Sequence, residues 1–232
     1  MNAILARFGL NTKNREKKMA YDGIYNRFVK RLLDLVLSLV FMVFALPLYL
    51  VIGSAILIED GRPVFYRPFR GGYKGKPFRI IKFRTMVKNA DKIGGGTTAL
   101  NDPRITKVGS ILRRTKMDET ANLLNIVRGT MSFVGPRPEL LQYTDQYEGK
   151  EKEIFEVRPG VTDFSSLKFI SLDEIVGSEN ADEMYEKVVL KEKNRLRIQY
   201  AESVSLKTDA TILLTTIFKV IRRIFRVIKG TR

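Results

Sequence analysis

The apolar run from Leu35 to Ile58 constrains this chain more than any other feature. About 20 apolar residues reach through a bilayer as a helix, so the run is long enough to enter one. Both of its flanks are basic: Arg27, Lys30 and Arg31 precede it, and Arg62, Arg67, Arg70, Lys74 and Lys76 follow it. Basic flanks favour the cytoplasmic side. Two such flanks around one hydrophobic segment predict a hairpin that enters and returns through the same face. Pro47 lies near the middle of the run. Proline lacks the N–H a helix needs and its ring clashes with the preceding turn, which makes it the expected bend. Asp34, one turn inside the start, needs a partner near the interface, with Lys30 or Arg31 as the nearest cations. The run begins too far from the N-terminus, and lacks the small-residue cleavage site, for a signal peptide, and is read as retained.

The net charge of +16 calls for an anionic partner, whether nucleic acid, acidic lipid or phosphorylated substrate. Nucleic acid is set aside, because the apolar run has no role there and no nucleic-acid-binding motif is present. With 44% hydrophobic and 28% charged residues, a packed core is expected. The chain contains neither cysteine nor histidine. Disulfides, thiol nucleophiles, Cys/His zinc sites and a histidine base are therefore excluded. Acid–base or nucleophilic chemistry falls to Asp, Glu, Lys, Tyr, Ser or Thr.

Four regions follow from these patterns: a polar tail at 1–26 with the basic stretch Lys13 to Lys18, a re-entrant helix at 27–61, a cytoplasmic domain at 62–207 and a basic amphipathic helix at 208–232. The predicted class is α+β and membrane-associated, with a Pro-kinked re-entrant helix, a small β-sheet and several surface helices. Pro63 to Tyr66 and Phe78 to Met86 read as strands around a glycine-rich basic turn, Arg70 to Pro77. Lys88 to Asn101 reads as loop. Helices are predicted over Thr106 to Arg114, over Met117 to Arg128 with Gly129 as the stop, and over Glu183 to Ala201. Near the end, Ile217, Phe218, Ile221, Ile224, Phe225 and Ile228 share one helical face, with Lys219, Arg222, Arg223, Arg226 and Lys229 mostly elsewhere. That pattern suits an anionic membrane interface, the alternative being a helix packed on its own domain.

The sharpest constellation is Arg113-Arg114-Thr115-Lys116-Met117-Asp118-Glu119. Two adjacent carboxylates open a helix and point in different directions, which suits one to attack and the other to hold a metal or a proton. Nearby cations and the positive helix end are expected to lower the Asp118 pKa, keep it ionised and bind phosphate. The bland alternative is a helix start, because Thr115-x-x-Asp118 matches a capping box with Asp in place of the usual Glu. Arg84, Arg104 and Arg137 sit beside glycines, prolines or strand ends, where each can grip phosphate or remain a solvated charge. The turn near Gly71 lacks the Walker spacing.

Five short motifs then occur in order: Lys82-Phe-Arg-Thr-Met86, Asp102-Pro-Arg104, Asp118-Glu119, Ser132-Phe-Val-Gly-Pro-Arg-Pro138 and Arg158-Pro-Gly160. Together they resemble the bacterial sugar transferase family, the monotopic polyprenol-phosphate phosphoglycosyl transferases, over about Lys30 to Arg223. The resemblance implies a re-entrant helix broken at Pro47 and a site on the cytoplasmic face of the bacterial inner membrane, against anionic lipids. It implies transfer of a sugar phosphate from a UDP-sugar to polyprenol (undecaprenol) phosphate, with release of UMP, at the start of lipid-linked glycan assembly such as exopolysaccharide. Asp118 inherits the role of covalent nucleophile. Glu119 inherits support of Mg2+ or of a proton, the metal being expected on Asp118 and Glu119. Arg84, Arg104, Arg113, Arg137 and Arg158 are the expected phosphate-binding residues. Two departures stand out. Leu46 precedes Pro47 where relatives often carry Ser, and Asp163-Phe-Ser-Ser-Leu-Lys168 replaces a Gly-Trp element, so the sugar is not carried over. The oligomeric state is left open. The competing reading is a non-enzymatic membrane scaffold that recruits acidic partners; it needs the apolar run and the charge but not the Asp-Glu pair.

Overall fold

A computed structural model describes residues 19–90, 102–169 and 189–228. The apolar run forms α1, Lys30–Asp60, entered through a π-helical turn at Tyr25–Val29. Among the described residues it is the one helix long and apolar enough to cross a membrane. The helix continues through Pro47 without a break in its assignment. Its middle is largely exposed among the described residues: Val43 is 72% and Phe44 76% exposed. Its two ends are anchored instead. At the start, Arg31 donates to the carbonyls of Ile126 (2.5 Å) and Val127 (2.8 Å). At the far end, Ile52 and Ile56 are buried in a core cluster with Ile81, Phe83, Leu112 and Ala121.

Of the expected partners of Asp34, Lys30 acts on it by charge, while its hydrogen bonds come from elsewhere. Its carboxylate accepts from the Ser132 hydroxyl and the Phe133 N–H, both at 3.1 Å. Lys30 is committed elsewhere, to Asp209, and Arg31 to the two carbonyls. A cation one helical turn away was the local choice; docking against a loop brought better-directed donors.

Beyond α1 come four two-residue strands, β1 (Phe65–Tyr66), β2 (Phe69–Arg70), β3 (Phe78–Arg79) and β4 (Lys82–Phe83). β1 pairs with β4 and β2 with β3, both antiparallel. A third pair, β5 (Ser132–Val134) and β6 (Gly160–Thr162), is parallel. Three separate ladders thus stand where one small sheet was expected, and the glycine-rich turn is the tip of the β2–β3 hairpin. Helix α2, Lys107–Thr115, starts where predicted, with the Thr106 hydroxyl accepting from Gly109 N–H at 2.9 Å. The carboxylate of Glu59, from the last turn of α1, also caps it, accepting from Lys107 N–H (2.7 Å) and Val108 N–H (2.9 Å). The predicted helix over Met117 to Arg128 is divided: a 3-10 helix, Met117–Asn122, then α3, Leu123–Arg128. Gly129 at φ +80° stops it, as expected of the one residue type that adopts this conformation without strain.

Short helices α4 (Leu141–Thr144) and α5 (Phe164–Lys168) lead to α6, Lys191–Ser203, and α7, Leu206–Ile228. On α7, Ile212 is fully buried, whereas Phe218 is 66% and Phe225 60% exposed, and Ile217 and Ile221 are exposed beside them. One face of α7 therefore packs on the domain, and Ile217, Phe218, Ile221 and Phe225 of the apolar face named above are left exposed among the described residues. The predicted loop centre at 91–101, the start of the predicted helix at 183–188, the basic stretch Lys13 to Lys18 and Lys229 lie outside the described residues, as do the side chains of Arg223, Ile224, Arg226 and Ile228. The end of the expected tail is docked: Asn26 is buried and donates to the Tyr21 carbonyl (2.8 Å), and the Tyr25 hydroxyl donates to Asp209 (2.7 Å).

Lys193 on α6 is buried, with its ammonium 5.9 Å from the Phe169 ring centroid. Burial, reinforced by the Arg197 charge, lowers its pKa from 10.5 to about 8. A folded pKa below the unfolded one means that the fold resists the proton. The penalty is complete below about pH 8 and vanishes as the pH rises toward the unfolded value. Lys193→Met is therefore expected to stabilise the protein at pH 7, by on the order of 3 kcal/mol. Thermal melts of the two proteins should converge as the pH approaches 10; a constant gap would contradict this.

Candidate active site

Asp118 and Glu119 sit in the first turn of the 3-10 helix, and Lys116 before them takes the left-handed conformation at φ 59°. The capping-box alternative fails, because the Thr115 hydroxyl turns back to donate to the Ile111 carbonyl at 2.8 Å. The two carboxylates do point apart, and their surroundings differ. Both Glu119 oxygens are taken: Lys82 donates to Oε1 (3.0 Å), and the Arg137 fork donates to Oε2 (2.8 Å) and to Oε1. Burial alone would raise the Glu119 pKa, but Arg137 and Lys82 outweigh it and hold the carboxyl well below the usual range. Asp118 is buried, and its Oδ1 has no hydrogen-bond partner among the described residues. Burial, with the Glu119 charge behind it, pushes the Asp118 pKa up against the pull of Lys82, Lys116 and Arg113. This reverses the expected direction. Arg113 and Lys116, the expected neighbours, act on Asp118 by charge; Lys82 and Arg137 are bonded to Glu119, and desolvation of Asp118 dominates.

The strand-end arginine Arg137 is placed by a backbone crossing. A Cβ on Gly160 would lie 2.1 Å from Gly135 N, and one on Gly135 would lie 2.2 Å from the Arg158 carbonyl. Only two glycines allow the Gly135-Pro-Arg137 and Arg158-Pro-Gly160 segments to meet this closely. Gly135 N–H donates to Thr162 O (2.9 Å) and Gly160 N–H to Pro136 O (3.0 Å), which fixes the contact. Asp163, fully buried, accepts from Arg137 N–H at 3.2 Å while it caps α5.

The remaining arginines are distributed differently from the expectation. Arg113 donates to the Thr85 hydroxyl (2.9 Å), and its charge acts on Asp118. Arg84 is buried on the C-terminal end of α1, donating to the carbonyls of Asp60 (3.1 Å) and Gly61 (2.7 Å). Arg104 clasps Asp102 within its own motif and reaches the Ala90 carbonyl (3.0 Å). Arg158 donates to the Gly129 carbonyl (3.2 Å) and lies 5.0 Å over the Tyr73 ring. The structure thus gathers Asp118, Glu119, Arg113 and Arg137, and places Arg84, Arg104 and Arg158 on backbone carbonyls or a local carboxylate. Two site residues escaped the sequence reading. Lys82 is one, although a lone cation after Ile80-Ile81 and before Phe83 was a visible signal. Asn122 is the other: it is buried in the same turn as Asp118, and its Oδ1 has no partner.

Residues 25–223 match the family described as bacterial sugar transferase. The chain belongs to that family. It is 34% identical over 191 residues to a UDP-glucose:undecaprenyl-phosphate glucose-1-phosphate transferase of Caulobacter vibrioides, covering 81% of this chain and 68% of that protein. It is 33% identical to the transferase of the same description in Escherichia coli K12, covering 84% of this chain but 40% of the relative. An uncharacterized sugar transferase, EpsL, of Bacillus subtilis is 32% identical, with 83% and 87% covered. Membership in a transferase family supports the enzyme reading over the scaffold.

Proposed function

We propose that this bacterial sugar transferase moves a sugar phosphate from a UDP-sugar to polyprenol phosphate through an aspartyl intermediate. The observation that carries the reading is the unpartnered, buried oxygen of Asp118 beside a Glu119 locked to Lys82 and Arg137. An Asp118 oxygen attacks the sugar-bearing phosphorus; the phosphorus–oxygen bond to UMP breaks, and UMP leaves with the electron pair. An oxygen of polyprenol phosphate then attacks the same phosphorus, and the carboxylate is released. Arg113, Lys82, Lys116 and the Arg137 fork supply the positive charge that lets two anions approach. A buried carboxyl is poorly solvated as an anion, which makes it the more reactive once ionised.

Magnesium fits one side of this set. Asp118 Oδ1 and Asn122 Oδ1 are buried oxygens without hydrogen bonds, the donor type magnesium prefers. Glu119, expected beside Asp118 as a ligand, has both oxygens hydrogen-bonded to Lys82 and Arg137, so a metal there would share it with those cations. When bound, the ion would neutralise charge on the diphosphate.

The re-entrant reading of α1 draws support from its two anchored ends. Arg31 reaches the end of α3, and Tyr49 reaches Thr120 in the adjoining turn. A spanning helix would leave its ends about 30 Å apart on opposite faces. The uncovered apolar face of α7 then rests on the same anionic, cytoplasmic leaflet of the inner membrane.

The test uses purified full-length chain with a panel of UDP-sugars, undecaprenol phosphate and magnesium. UMP release is expected with at least one donor. Without acceptor, the peptide carrying Asp118 should gain the mass of a sugar phosphate. Absence of UMP from every donor would sink the proposal.

A further inference from the structure

The turn that bears Asp118 is held from the membrane side by a residue that neither charge nor motif singles out. Tyr49 lies on α1, two residues beyond Pro47. Its hydroxyl donates to the Thr120 carbonyl at 2.5 Å, and Thr120 directly follows Glu119. Its ring meets Phe83 edge-on, with centroids 5.2 Å apart and planes at 83°. The turn itself is 3-10, a form with poorer hydrogen-bond geometry than an α-helix. It has no side-chain cap at its start. Its stability therefore depends on what it packs against. Ile52 and Ile56, three and seven residues beyond Tyr49, are buried in the same cluster as Ala121, with Met117 packed against it. These contacts are apolar and non-directional. The Tyr49 hydroxyl is the directed bond between α1 and the turn.

We infer that Tyr49 is a positioning residue: its hydroxyl fixes the rotation of the 3-10 turn and so the aim of the Asp118 carboxyl. The seat of α1 and the geometry of the attacking oxygen are then set together, because one side chain on α1 bonds the backbone that carries the nucleophile. The inference rests on the reading of Asp118 as the attacking group. Apolar packing tolerates small rotations of a turn, whereas a hydrogen bond weakens steeply with misalignment. Small misplacement of a reacting group is costly in rate.

The experiment compares Tyr49→Phe with wild type in the same detergent or vesicle preparation. The substitution keeps the ring and its contact with Phe83 and removes only the hydroxyl. Expected are a fall in kcat of about tenfold and an equal fall in the single-turnover rate of Asp118 adduct formation. KM for UDP-sugar and for polyprenol phosphate should stay within about twofold, because uniform binding is untouched. The melting temperature should hold within about 2 °C, since loss of one such bond costs little. A kcat within twofold of wild type overturns the positioning role. So does a fall in kcat accompanied by a raised KM or a lowered melting temperature, which would mean a binding or purely structural role. Wild-type protein that forms neither UMP nor adduct overturns the reading of Asp118 itself, which separates the two failures.

Discussion

Asp118→Asn is expected to abolish transfer while leaving the protein at least as stable as wild type. The amide has no anionic oxygen to form a bond to phosphorus, so turnover should fall at least about 10³-fold. The effect on stability runs the other way. Burial and the Glu119 charge raise the Asp118 pKa in the fold, which costs stability at any pH above the unfolded value. Its Oδ1 has no donor to lose. Replacing it with a neutral side chain of the same size removes that penalty, as happens at sites built for chemistry rather than for stability. UMP release and thermal melts measure the two consequences. Turnover above a few per cent of wild type would remove Asp118 as nucleophile, and a large fall in melting temperature would contradict the account of its surroundings.

The largest effect on stability is expected at the other end of the molecule. Lys30 and Asp209 form a buried ion pair, with side chains 4% and 9% exposed. Asp209 also accepts from the hydroxyls of Tyr25 and Tyr200, both at 2.7 Å. This cluster ties the start of the membrane helix to α7 and to the end of α6. Lys30→Met leaves the carboxylate buried without its counter-charge, a change that costs about 3–5 kcal/mol. For a domain of this size that corresponds to a melting temperature lower by about 10 °C. The double variant Lys30→Met/Asp209→Asn removes the stranded charge, keeps an acceptor for one tyrosine and offers an N–H to the hydroxyl oxygen of the other, so it should recover more than half of the loss. A single variant that melts within 2 °C of wild type would show that the pair is not the tie. The experiment is done in detergent, where the anchor remains folded on the domain.

The membrane helix, the helix at 107–115, the stop at Gly129 and the motif order were legible because each is written in neighbouring residues. An apolar run, a Thr before a helix, or a glycine after one acts within a turn or two of chain. The Asp118–Glu119 pair was legible as two adjacent carboxylates among cations for the same reason. The division of labour within it was not. Its cations come from β4 and from the loop after β5, and Lys82 meets Glu119 across 37 positions. Arg84 and Arg158 looked like phosphate ligands because a basic residue at a strand end or beside a proline can be one. In the fold they donate to carbonyls left open at helix ends, where an arginine is equally well satisfied.

The sequence by itself determined that this chain carries one long apolar run and a net charge of +16, and that it has no histidine or cysteine to offer for chemistry. Those properties are sums over residues or patterns within a helical turn, so they survive in the unfolded string. Only the tertiary structure decided which cation neutralises which carboxylate, that Asp118 keeps a bare oxygen, and that Tyr49 of the membrane helix holds the turn beneath it. Such pairings depend on the path of the chain through space: Lys30 meets Asp209 across 179 positions. Desolvation, which sets the reactivity of a carboxyl, exists only once that path has closed.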